Sequence, residues 1–177
     1  MAARTSIVSV AAFVLGACGG SEPPPHAPNP SPATVPAPPS ADARSIPDDA
    51  RAAMKQTLAS DGGKTAWLYS QPGDPEVAAL VASLRGVFED AGWKVQAETA
   101  SGISLKPGVM TLMAEEQYPE YVDTVLKALD ASGLGAKSAS GYRAYYEEKK
   151  RDDPKWPGIP MRAEQDFVIV VGRKPNV

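Results

Sequence analysis

Beyond Ser45 the apolar residues recur with a different period in each stretch, and the period names the element. Ile46, Ala50, Met54 and Leu58 return every four residues behind Ser45, Pro47 and Asp48. That predicts a helix to about Ser60, ended by Asp61-Gly62-Gly63. Thr65 to Ser70 is short, aromatic-rich and bounded by turn residues, as a strand is. Asp74 then caps a helix with Pro75 in its first turn. Val77, Leu80, Val81, Leu84, Phe88 and Ala91 give it an apolar face, and Gly92 closes it. From Trp93 to Glu98 the period drops to two, with Trp93, Val95 and Ala97 set against Lys94, Gln96 and Glu98. Strand, helix and strand in this order predict a parallel βαβ unit.

The pattern then repeats. Val109 to Ala114 is an apolar strand, Pro119-Glu120 opens a helix, and Tyr118, Tyr121, Val122, Val125 and Leu129 line its face up to Gly133. Ala136 to Ser140 is a weak strand. Tyr142, Tyr145, Tyr146 and Lys149 predict a further helix, with Glu147 and Arg151 spaced as a supporting ion pair. Pro154, Pro157 and Pro160 enforce a loop. Phe167 to Val171 is apolar without alternation, the mark of a strand buried on both faces. The order α-β-α-β-β-α-β-α-β predicts an α/β domain: a small three-layer sandwich with a mostly parallel sheet of about five strands and flanking helices. In outline it resembles flavodoxins and response-regulator receivers, so a flavodoxin-like sheet order is expected. The first strand runs into Tyr69-Ser70-Gln71 and the third into Met113-Ala114-Glu115, and neither presents a receiver-like acceptor Asp.

Ahead of Ser45 no such period exists. Ile7 to Leu15 is apolar behind Arg4, but far shorter than the roughly 20 residues of a spanning helix, and reads as a processing segment. Leu15-Gly16-Ala17-Cys18 resembles the lipobox of bacterial lipoproteins. The resemblance implies cleavage before Cys18 and lipid on its thiol. Gly19 rather than Asp after the Cys implies sorting to the outer membrane in a Gram-negative cell. From Gly19 to about Ser45 the chain is Gly, Ser, Pro and Ala, and ten of its 18 prolines lie between Pro23 and Pro47. Such a segment buries too little apolar surface to offset its ordering entropy. The expected organisation is a signal peptide over 1–17, a lipidated Cys with a Pro-rich tether over 18–45, and one α/β domain over 46–177.

Composition narrows the chemistry. The one Cys is Cys18 and the one His is His26, so Asp48 to Val177 holds neither. A nucleophile activated by His is excluded there, as are His/Cys metal sites. No G-x-G-x-x-G follows a strand, and neither G-x-x-x-x-G-K-[ST] nor G-x-S-x-G occurs. No cofactor or metal is expected. The formal net charge of −3 becomes −4 when Arg4 leaves with the leader, which argues against nucleic acid as a partner.

Two sets of candidate residues remain. Ligands of open α/β sheets bind beyond the carboxyl ends of the strands, where Ser70, Gln71, Asp74, Glu115, Glu116 and Arg173 are expected to converge. Asp74 has a second reading as a helix cap, and Glu115 and Glu116 as a solvated rim. The stretch from Tyr142 to Trp156 interleaves aromatic and basic residues; Tyr145, Tyr146, Arg151 and Trp156 are candidates for a partner surface. The competing reading makes the Tyr residues the buried face of their helix. The expectation is therefore a membrane-anchored envelope lipoprotein with a non-enzymatic ligand- or protein-binding domain. The alternatives are a carboxylate-based envelope hydrolase and a purely structural lipoprotein.

Overall fold

Local signals set the first unit of the fold. Asp74 accepts the backbone N–H groups of Glu76 and Val77 at 3.0 and 3.3 Å, and Pro75 occupies the first turn, so helix α2 (Pro75–Asp90) starts where Asp74 places it. It joins strand β1 (Thr65–Ser70) to strand β2 (Lys94–Thr99), which pair in parallel with Thr65 opposite Lys94 and Ser70 opposite Thr99. The computed structural model describes residues 43–175; Cys18 and the candidate leader lie outside them. The remaining elements are α1 (Asp48–Leu58), followed by a short 3-10 turn, then β3 (Val109–Met113), α3 (Tyr121–Ala131), β4 (Lys137–Ala139), α4 (Tyr142–Asp152) and β5 (Phe167–Val171). The architecture is α/β: a five-stranded, mostly parallel sheet with four flanking helices.

The strand order is β2-β1-β5-β3-β4. It departs from the flavodoxin order because β5 enters the middle, parallel to β1 and antiparallel to β3. The link from Thr99 to Val109 shows why. With β3 antiparallel to β2, the end of one and the start of the other lie at the same edge. The link then crosses only about 14 Å, three strand spacings, and needs no helix. A parallel β3 would have forced the same residues back along the whole strand as well. β5 is buried along its whole length, as an apolar strand without alternation requires.

The sheet's two faces are covered unequally. On one face α1, α2 and α3 build the main core, with Leu58, Leu68, Leu84, Phe88, Trp93, Val125 and Phe167 all buried. Over the other face lie α4 and two loops, which bring Ile103, Leu105, Tyr142, Ile159 and Met161 against Leu112, Val168 and Val170. Edge strand β2 carries a mostly exposed pattern, and its Ala97 is exposed. Thr111 points toward the three-helix face, fully buried, and its hydroxyl has no hydrogen-bond partner.

The first described residues are clamped. Arg44 pairs with Glu76 through Nε and Nη2 at 2.7 and 2.8 Å, and Nη2 also donates to the carbonyl of Gly172 at 2.6 Å. Hydrogen bonding from Arg44 holds the Glu76 carboxyl below its ordinary pKa, against the opposing effect of its burial.

Candidate functional site

The thinly covered face opens into a groove of about 700 Å³. Its floor is Met110 and Leu112 of β3 with Val170 of β5; Tyr142, Tyr145 and Trp156 wall it on one side. Strand alternation puts Met110 and Leu112 on this face, while Val109, Thr111 and Met113 point to the other.

The wall is built by helix spacing. Tyr142, Tyr145 and Tyr146 stand at i, i+3 and i+4 on α4, so their rings share one face. The polypeptide turns back through Pro154 and lays Trp156 on that face. Its ring meets Tyr145 at 5.6 Å and Tyr146 at 5.8 Å, both edge-on, and Tyr142 lies 6.2 and 6.4 Å from the other two tyrosines. Gly158 backs Trp156: a Cβ there would collide with the indole, so only glycine lets the ring lie down. Lys149 and Lys150 cover the Tyr145 and Tyr146 rings at 5.5 and 5.8 Å. No residue of α4 is fully buried; the reading of these tyrosines as a buried helix face fails for Tyr145, which is 46% exposed, while Tyr142 and Tyr146 are half-buried and Tyr142 packs against the second core. The Tyr142 hydroxyl accepts the Ile159 N–H at 3.0 Å. Burial raises its pKa above the ordinary tyrosine value, which keeps the hydroxyl neutral and able to donate.

The residues expected to converge beyond the carboxyl ends of the strands do not all do so. Reversal of β3 sends Glu115 and Glu116 to the sheet edge opposite Ser70, Asp74 and Arg173. Glu115 pairs with Arg143 at 2.9 Å, while Glu116 accepts from the Ser140 hydroxyl at 2.6 Å. Both tie the start of α4 to the end of β3. The Arg143 N–H adds a bond to the Ala114 carbonyl at 3.0 Å, and its guanidinium reaches the carbonyls of Arg162 and Gln165 at 3.4 and 3.3 Å.

At the other edge Asp74 and Arg173 do meet, at 3.6 Å, but Asp74 is spent on capping α2 and Arg173 is largely solvated. Ser70 borders a shallower depression of about 290 Å³ between α2 and β2, and Gln71 is half-buried beside it. Tyr146 and Trp156 are half-buried and Arg151 is exposed. The expected pair of Arg151 with Glu147 is absent among the described residues, whose one i,i+4 pair joins Arg85 and Glu89 at 3.9 Å. No group of His, Cys, Asp and Glu among the described residues is arranged to hold a metal ion, and no described helix is long and apolar enough to cross a membrane.

Sequence reasoning missed the floor and far rim of the groove. Met110 and Leu112 read simply as strand residues, and Ile103 and Leu105 sit in a link that looks polar. Their alternation with Ser104 and Lys106 was the available signal. Comparison of the chain with protein-family models, curated proteins and solved structures finds no match.

Proposed function

We propose that this protein is a lipid-anchored lipoprotein of the bacterial cell envelope, held by Cys18, most simply at the outer membrane. Its α/β domain is a non-enzymatic binding module that works through the groove on the thin face of the sheet. The observation that carries this reading is the groove itself, with an apolar floor of Met110, Leu112 and Val170 beside the rings of Tyr142, Tyr145 and Trp156. Ligand sites are concave and mostly apolar, with a few placed polar groups, and Tyr and Trp are enriched where binding energy concentrates. The hydrolase alternative has less support, because Glu115 and Glu116 point to different partners and each is engaged in holding α4.

Two measurements test the two halves. Cys18→Ser should move the protein from the membrane fraction to the soluble one; full membrane retention of the variant overturns the anchor. A photo-crosslinking residue at position 145 should give discrete adducts in cells, and one at exposed Lys127 on α3 should not. Matching adduct patterns from both positions would remove the groove from consideration.

A further inference from the structure

We infer that the open edge of strand β2 is a self-association surface, and that its occupant is β2 of a second copy of this chain, paired antiparallel about a two-fold axis at Gln96. The two sheets become one across that edge. The inference does not depend on the groove, whose floor is β3 and β5.

An unpaired sheet edge is normally blunted by short length, proline, a bulge or charge. The sheet's other edge, β4, is three residues long. β2 is six residues long, pairs with β1 along its whole length without a bulge, and has neither proline nor glycine. Its backbone shows which groups it leaves open. Lys94 donates its N–H to the Lys64 carbonyl at 2.8 Å, and Ala100 donates to Ser70 at 2.9 Å. By alternation Gln96 and Glu98 also turn their backbone groups toward β1, while Val95 and Ala97 turn theirs outward. Among the described residues no hydrogen bond reaches those outward groups of Val95 and Ala97. The Thr99 carbonyl faces the same way but already accepts from the Ser101 N–H at 3.0 Å, so the open ladder ends before it.

That limit and the charges select the register. A two-fold axis perpendicular to the sheet keeps every residue on its own face. Centred on Gln96, it sets Val95 opposite Ala97 of the second copy, and the exchange of N–H···O bonds occurs twice, about four bonds in all. It also sets Lys94 opposite Glu98 of the second copy, again twice. These two are the only charged residues of β2. They have opposite sign and stand equally far from Gln96, so charges that guard the edge against other strands fit a second copy. Glu98 is bonded to Arg162 through Oε1, which leaves Oε2 to accept from Lys94.

The three-helix face agrees. α2 packs over β1 and β2. Strands lie about 4.8 Å apart, so the two α2 axes come within about 10 Å of each other, the spacing of packed helices. The flank of α2 beside β2 carries Ala78, Val81 and Ala82, which with Ala97 line the shallow depression of about 290 Å³. Ala78, Ala82 and Ala97 are exposed, and side chains this small admit a second helix at that distance.

The test uses the full unlipidated chain, Cys18→Ser, which then holds no thiol. Sedimentation equilibrium should show a monomer–dimer equilibrium. Lys94→Glu should raise its dissociation constant about tenfold or more, and combining Lys94→Glu with Glu98→Lys should recover much of that loss. Ala97→Pro removes an outward N–H that the β1 ladder does not use, so it should abolish the dimer and leave the circular dichroism spectrum unchanged. The charge swap decides the matter if the proline variant does not fold. Gln96→Cys puts a thiol on the axis, and mild oxidation should give a covalent dimer, while Lys137→Cys on the β4 edge should stay monomeric. A chain that sediments as a monomer up to millimolar concentration, with the Gln96→Cys thiol still reduced after oxidation, overturns the inference, whether the edge is bare or covered by another segment. So does a dimer that Lys94→Glu and Ala97→Pro leave intact, because it is built on a different surface.

Discussion

Two groups of four aromatic rings occupy opposite faces of the sheet, and their ring geometry is nearly the same. The inner group is Phe88, Trp93, Tyr121 and Phe167, with centroids 5.5 to 6.4 Å apart. The outer group is Tyr142, Tyr145, Tyr146 and Trp156, with centroids 5.6 to 6.4 Å apart. What differs is cover and the polar tips. Inside, three helices enclose Phe88, Trp93 and Phe167 and leave Tyr121 partly buried, Trp93 Nε1 donates to the Leu58 carbonyl at 2.8 Å, and the Tyr121 hydroxyl donates to Asp166. Outside, a single helix carries three rings, none of them is fully buried, and one ring meets solvent with nearly half its surface. Edge-on contact alone therefore does not tell a core from a binding surface. Enclosure together with satisfied polar tips does.

The largest effect should come from exchanging equivalent residues of the two groups. Trp93→Ala deletes an enclosed ring and leaves the Leu58 carbonyl without its donor, so it should cost about 3–5 kcal/mol in urea unfolding. Trp156→Ala removes a ring with solvent on one side and should cost about 1 kcal/mol or less. Equal losses for the two would mean that the outer group is core in all but exposure, and the groove would lose its claim to be a site.

How much of this was open to reading in the residues differs between the two groups. Phe88 and Tyr121 sit in segments whose period of 3.6 names both the element and its buried side, Trp93 opens one of period two, and Phe167 sits in a continuous apolar run that names a strand buried on both faces. Every helix and strand was legible from such local patterns, β4 only as a weak strand without a buried side. The order of the sheet was not, because period reports which side of a strand is buried and not which strand lies beside it. The reversal of β3 follows from the length and path of the link before it, a global constraint. That reversal also separates Glu115 and Glu116 from Asp74 and Arg173. Tyr142 to Trp156 was visible as an aromatic stretch, but its exposure depends on how few elements cover that face, which no local pattern states.

A smaller effect should come from the inner group's polar tip. Tyr121→Phe removes a hydroxyl bonded to Asp166 and should cost about 1 kcal/mol near neutral pH. Burial first, and the Asp166 carboxylate second, raise the Tyr121 pKa above its ordinary value near 10. The folded state thus resists ionisation more than the unfolded state does. The associated stability is complete below about pH 10 and is lost as pH rises beyond it. The gap between the natural protein and Tyr121→Phe should accordingly shrink between pH 8 and pH 11. In an alkaline titration followed at 295 nm, the variant should lack a late-ionising component. A gap that widens with pH would place the cause elsewhere than in this hydroxyl.

The smallest expected change is a gain, and it sharpens the contrast from the other side. Thr111 belongs to the enclosed half of the molecule, yet its hydroxyl has no partner and no exposure; with Arg44 Nη1 it is one of two buried polar side-chain atoms among the described residues that depart from the rule separating the two halves. A buried hydroxyl without a partner carries its desolvation cost uncompensated, and valine has nearly the same shape without that cost. Thr111→Val should therefore be neutral or stabilising by up to about 1 kcal/mol, read as a raised urea midpoint with an unchanged slope. Cavity formation is not at issue, because a methyl group replaces the oxygen. A loss of about 1 kcal/mol would mean that Thr111 has a hydrogen-bond partner, such as a buried water, and that its hydroxyl is no exception to the rule.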